Sequence, residues 1–235
     1  MPMSPEGFVA RIEALKGDLV AQGRRVQAML EASFQALFDR NDERAGWAIS
    51  QDDAVDSADV ALEKACVQLL SDATRQGAEL DPTQLRTILT IVKVNNELER
   101  AADVANDIAE ATRQSAVAGV FPDTFRVMAN SVIGILRDAN LAMVRSDPQL
   151  ANIVLQSQHA VTAFKDAVLR DAQKKLTDRQ MSAEFAFLLH EVANQCELIS
   201  DHCTNIAEQV LYLTTGAIVR HMPTSWVQVN TTQAG

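Results

Sequence analysis

Two rows of carboxylates are the residues best able to do chemistry in this chain. Asp52, Asp56, Asp59 and Glu63 follow one another at steps of four, three and four, with Asp53 beside them, and Glu99, Asp103, Asp107 and Glu110 at four, four and three. On a helix, such steps return to one face. Like charges one turn apart repel by a few tenths of a kcal/mol each, a cost that a cation would remove. Carboxylates on neighbouring helices converge on hard or borderline cations in metal-bearing helical bundles. A solvated face with basic partners on the next helix is the plainer account of any single row. Two features weigh against it. Lys and Arg are scarce between Asp52 and Glu63, so this is not the usual ladder of i, i+4 ion pairs. Glu-x-x-x-Asp also recurs, at Glu99/Asp103 and Glu197/Asp201, and Asp52/Asp56 has the same spacing.

Other reactive residues fit bland roles better. His190-Glu191 opens a His-Glu-x-x-Asn segment that lacks the second histidine of a zinc protease. His190 shares a helix face with Asn194, Glu197 and Asp201, which makes it a further candidate ligand. Cys66, Cys196 and Cys203 are odd in number and have no Cys-x-x-Cys spacing, as expected of reduced thiols packed in a core. No nucleophile–base pair, P-loop or dinucleotide fingerprint stands in a supporting context, so hydrolytic or transfer catalysis is not expected. A net charge of −10 argues against nucleic-acid binding, which needs a basic face to displace counterions. The N-terminus lacks an apolar signal core and no run of 18 apolar residues occurs, so the expectation is a cytoplasmic protein that does not insert into a membrane.

The elements that must position these residues are helices. Aromatics are few against many Ala, Leu and Val, a balance that favours helix packing. Start signals recur: Ser4-Pro5, Asn41 before Asp42 and Glu43, Asp81-Pro82 with Gln84, Pro122-Asp123, Asp147-Pro148, and Thr177 with Gln180. Gly77, Gly119 and Gly216 are the expected stops. Leu85, Ile88, Leu89, Val92 and Ile108 keep helical apolar spacing, as do Phe185, Leu188, Leu189, Val192 and Cys196. The pattern predicts an all-α protein of six long helices, each antiparallel to its sequence neighbours.

Residues 95–110, NNELERAADVANDIAE, align without a gap on 193–208, ANQCELISDHCTNIAE, at a shift of 98 positions. Asn96, Glu99, Asp103, Ile108, Ala109 and Glu110 recur as Asn194, Glu197, Asp201, Ile206, Ala207 and Glu208. The repeat predicts two tandem three-helix bundles related by internal duplication, over residues 5–116 and 121–216, sharing one body, with 217–235 as a tail.

The segment ELISDHCTNIAEQVLYLTTG, followed by AIVRH, resembles the PhoU family signature, and ELERAADVANDIAE and AVDSADVALE are similar to its earlier copy. The resemblance runs over roughly residues 10–221. It implies paired three-helix bundles with Glu/Asp-x-x-x-Asp metal motifs. The metal ligands would be Asp52, Asp56, Glu99 and Asp103 in the first bundle and Glu197 and Asp201 in the second. It also implies bound divalent or trivalent metal, iron or zinc, in multinuclear clusters. The function implied is that of a non-enzymatic negative regulator of the phosphate-starvation response, connecting a phosphate ABC transporter with a sensor histidine kinase; a homodimer stays open. The chain departs from the family pattern in the fifth helix, which offers Gln156 and His159 in place of an acid pair, in Leu198 opposite Arg100, and in Ala102 and Ser200 at the signature glycine. A carboxylate-bridged metalloenzyme or metal-storage bundle is the alternative, and the missing Glu-x-x-His ligand pair counts against it.

Overall fold

The computed structural model describes residues 5–114 and 119–219. Among them the chain is all-α: α1 (Pro5–Asp39), α2 (Asp42–Ser50), α3 (Asp52–Gln76), α4 (Pro82–Gln114), α5 (Asp123–Arg145), α6 (Pro148–Thr177) and α7 (Ala183–Thr215). The six expected helices are present, the second of them bent at Gln51 into α2 and α3. Gln51 keeps helical dihedrals (φ −83°, ψ −16°), and its N–H still reaches Ala48 O at 3.1 Å. From α1, Gln22 Nε2 donates to Val55 O at 2.8 Å and Arg25 Nη1 to Gln22 Oε1 at 2.8 Å. These bonds fix the turn that carries Asp52 and Asp56.

Most helix ends follow the local chemistry. Asn41 Oδ1 accepts Arg44 N–H at 2.9 Å. Asp81 Oδ1 accepts from Thr83 and Gln84 N–H, while Gln84 Oε1 accepts Asp81 N–H at 3.0 Å, a reciprocal capping box. Asp147 Oδ1 accepts from Gln149 and Leu150 N–H, with Pro148 in the first turn. Gly77 (φ 62°) and Gly216 (φ 73°) close α3 and α7 in the left-handed conformation. Pro122 is the N-cap of α5 and makes no side-chain cap bond. The Ser4 cap and residues 220–235 of the tail lie outside the described residues.

Three expectations are corrected. Thr177 does not open the last helix: it ends α6, its hydroxyl donating to Gln173 O at 2.9 Å as an interior helical threonine does. The cap of α7 is Ser182, whose side chain accepts Phe185 N–H at 3.2 Å. Gly119 is not a left-handed stop; a Cβ there would enter the Phe185 ring, so the glycine makes room for the cluster of Phe38, Phe121, Phe125 and Phe185. Finally, Leu85 and Leu89 are exposed (41% and 49%). A long amphipathic run fits two stripes offset by a residue or two. Packing of α4 on α1, α3 and α7 selects the stripe Ile88, Ile91, Val94, Leu98, Ala105 and Ile108.

One continuous apolar core runs through α1 and α3–α7, and Ala36, Ala45, Ala48 and Ala109 let α2 approach α1 and α4 closely. α5 is long and apolar enough to cross a membrane by length and composition, yet it packs on α1, α6 and α7 and its core face is buried. The two sets of helices meet through α4 on α7 and α1 on α5. Asn140 Nδ2 donates to Gly23 O at 2.9 Å. Glu97 Oε2 joins His202 Nδ1 at 2.9 Å and accepts from Asn205 Nδ2 at 3.0 Å.

Candidate metal centre

α3 and α4 run in opposite directions with their acidic faces together. The start of α3 therefore lies against the later turns of α4. Asp52, Asp56 and Asp103 each place a carboxylate oxygen within 4.8 Å of the others. One turn further along α3, Asp59 receives Asn95 Nδ2 on its Oδ1 at 2.6 Å and on its backbone oxygen at 3.1 Å. Glu99 sits between, close enough to feel Asp103, Asp59 and Asp56 but outside the trio.

Burial first, then like charge, raises the pKa values here. Asp52 is pushed up by burial and by Asp56, Asp103, Asp53 and Glu110. Asp103 is raised by burial, Asp56 and Asp107, with His202 opposing. Glu99 is raised by burial and by Asp103, Asp59 and Asp56, with Arg100 opposing. Asp59 rises through burial, Glu63 and Asp56 against the Asn95 bond, and Asp107 through burial and Glu110. Among the described residues no Lys or Arg forms an ion pair with any of these five. Of the plainer account, a solvated face with basic partners, the basic partners are missing, while Asp56 and Asp103 are exposed.

The donor set suits a cation. Asp52 Oδ1 is buried without a hydrogen-bond partner, and so is Oδ1 of Asn95, a residue only 1% exposed. Carboxylate and amide oxygens are hard donors of the kind that hold divalent or trivalent ions.

The second set of helices is built differently. Lys165 Nζ donates to Glu197 Oε2 at 2.6 Å, Thr162 Oγ1 to Glu197 Oε1 at 3.1 Å, and Gln158 Nε2 to Asp201 Oδ1. The Lys165 bond leads the effects that hold the Glu197 carboxyl below its ordinary range. Burial raises that of Asp201 against the Gln158 bond. Gln156 and His159, the expected fifth-helix substitutes, are exposed. The buried valines Val154, Val161 and Val168 turn α6 so that Gln158, Thr162 and Lys165 face α7 instead. His190 is exposed and its Nε2 lies 3.1 Å from Asn194 Nδ2. All three cysteines are free and buried; burial pushes the Cys66 thiol up to about 11 and that of Cys196 to about 12, which leaves them inert.

Asn95, Gln158, Thr162 and Lys165 were not singled out by sequence reasoning, although a signal existed. Gln158, Thr162 and Lys165 repeat the four-then-three step of Asp52, Asp56 and Asp59.

The model of the PhoU domain matches twice, over residues 19–112 and 125–210. The phosphate-specific transport system accessory protein PhoU homolog 1 of Thermotoga maritima is 26% identical over 214 residues, covering 89% of each chain. The PhoU homolog of Pseudomonas putida is 29% identical over 92% of this chain and 83% of its own, and PhoU of Escherichia coli 25% identical over 92% and 88%. Crystal structures of PhoU from Streptococcus pneumoniae and Pseudomonas aeruginosa share the fold with a TM-score of 0.82 each, at 22% and 25% identity, covering 90% and 89% of this chain and 99% and 100% of theirs. With two domain matches over most of its length and a fold shared end to end, the chain belongs to the PhoU family.

Proposed function

We propose that this chain is a phosphate-transport accessory protein that restrains phosphate uptake and phosphate-starvation signalling as a metal-dependent adaptor, without catalysis of its own. The observation that carries the metal part is the trio Asp52, Asp56 and Asp103, whose oxygens approach within 4.8 Å with no Lys or Arg among the described residues in an ion pair with them. These three would hold a divalent or trivalent cation, iron or zinc in the first instance, singly or in a cluster. Glu99 lies alongside as a supplementary oxygen donor. Such an ion, when bound, supplies concentrated positive charge on an otherwise anionic face. The helices hold the carboxylates in place, and the buried Asn95 amide fixes Asp59 beside them.

The regulatory part is supported by the relatives, which are named as accessory proteins of phosphate-specific transport systems. The partners proposed are a phosphate ABC transporter and a sensor histidine kinase, met in the cytoplasm. Deleting the gene should raise expression of phosphate-uptake genes when phosphate is plentiful, and a chromosomal copy carrying Asp52→Asn and Asp56→Asn should restore repression only in part. Unchanged expression in the deletion strain would refute the regulatory role. Full repression by the double variant would separate that role from the metal.

A further inference from the structure

The two halves can be set in register by their buried residues. α4 maps onto α7 at a shift of 98 positions, which pairs Glu99 with Glu197 and Asp103 with Asp201. α3 maps onto α6 at a shift of 106, which pairs the buried Val55, Leu62 and Cys66 with the buried Val161, Val168 and Ala172. That second register places Gln158, Thr162 and Lys165 where the first half has Asp52, Asp56 and Asp59. Contacts agree with it. Gln158 meets Asp201 as Asp52 lies by Asp103, and Lys165 meets Glu197 near the position where Asp59 lies by Glu99.

We infer that Lys165 is a built-in cation of the second half: its ammonium sits on Glu197, at the position where the first half has Asp59 beside Glu99, a turn from the one matching the trio, and supplies there the positive charge that the first half takes from a metal ion, so Glu197 and Asp201 bind no metal. This deepens the metal reading proposed above and rests on it for the first half only. The five acids Asp52, Asp56, Asp59, Glu99 and Asp103 become two acids and one cation in the second half. Glu197 has both oxygens engaged, by Lys165 Nζ at 2.6 Å and Thr162 Oγ1 at 3.1 Å, and Asp201 accepts from Gln158. A metal would have to displace bonds that the chain already makes to itself. An ammonium is a compact point charge with three donors, enough to settle one carboxylate without recruiting further ligands. The protein is thus one-sided. Its first half responds to metal, and its second half is held permanently in the cation-bound arrangement.

Calorimetric titration of the full chain with Zn²⁺ and with Fe²⁺, together with elemental analysis, tests this. Glu197→Gln with Asp201→Asn should leave metal content unchanged, whereas Asp52→Asn with Asp56→Asn should abolish it. Gln158→Asp, Thr162→Asp and Lys165→Asp together should add a second set of metal sites. Loss of metal from the Glu197/Asp201 variant overturns the inference and leaves the first-half reading intact. Wild-type protein that takes up no metal refutes the first-half reading, and the role of Lys165 is then decided in chelator. There Lys165→Met should lower the melting temperature, and an unchanged melting temperature overturns the inference. The same Lys165→Met comparison decides it if the triple variant fails to fold.

Discussion

Asp56 and Asp103 lie on different helices and repel across the interface. Neutralising both, as Asp56→Asn with Asp103→Asn, should stabilise the metal-free protein and remove its response to metal. In the wild type, an ion that binds only the folded state adds RT ln(1 + [L]/Kd), about 2.7 kcal/mol at a hundredfold excess over Kd. Paired melts in chelator and in metal test both halves of the statement; a double variant that melts lower in chelator shows that the acids are held by bonds. The effect carries a pH signature. Asp52, Asp59, Glu99, Asp103 and Asp107 are raised in the fold, so the folded state holds those protons more tightly than the unfolded one. Metal-free stability should then fall as pH rises from the ordinary carboxylate range, about 4, through the raised values. Glu197 is lowered and acts with the opposite sign, its contribution present above the ordinary value and lost as pH falls through its folded value. The gain from the double variant should therefore be small near pH 4, grow through that window and level off above it. The rows themselves were legible because a helix returns to one face every three or four residues. Which acids converge was not, since it depends on how α3 and α4 slide and rotate against each other. The same limit hid Lys165, placed by burial of Val161 and Val168 on the far side of its helix.

Helix starts were legible where the signal is local. Asn41, Asp81 and Asp147 each satisfy N–H groups within three residues of themselves, so no tertiary information is needed to find them. Thr177 and Ser182 show the limit. Both are hydroxyl residues near a helix boundary, and only the continuation of α6 through Thr177 decides between them. Ser182→Ala should cost about 1 kcal/mol, as loss of an N-cap does, lowering the melting temperature by about 2–4 °C in a chain of this size. Asp147→Ala should cost at least as much, because its carboxylate accepts two N–H bonds. Thr177→Ala should be nearly neutral, its bond being only to Gln173 O. Comparing the three by thermal melt separates the caps from the bystander; equal losses at Thr177 and Ser182 would place the start of α7 wrongly.

The duplication was legible from residues 95–110 against 193–208, but the way the halves hold each other was not, because interface partners are distant in sequence. Glu97 is the clearest case. Its side chain is 16% exposed, and burial works against its charge, yet the bonds from His202 and Asn205 keep its carboxyl below the ordinary range. The apolar core continues across the same boundary through α4 and α7, so neither half can open without stripping the other. The molecule should therefore unfold in a single transition with calorimetric and van't Hoff enthalpies equal. Glu97→Ala should move that transition down without splitting it, since His202 and Asn205 lose their acceptor, at a cost of about 1–3 kcal/mol for buried groups left unsatisfied. Because the halves are coupled, metal bound at Asp52, Asp56 and Asp103 should also slow amide hydrogen exchange in α6, which carries none of those acids. Two calorimetric transitions, or metal protection confined to α3 and α4, would mean that the second half does not sense the first, and an adaptor that passes a signal along its length would need another route.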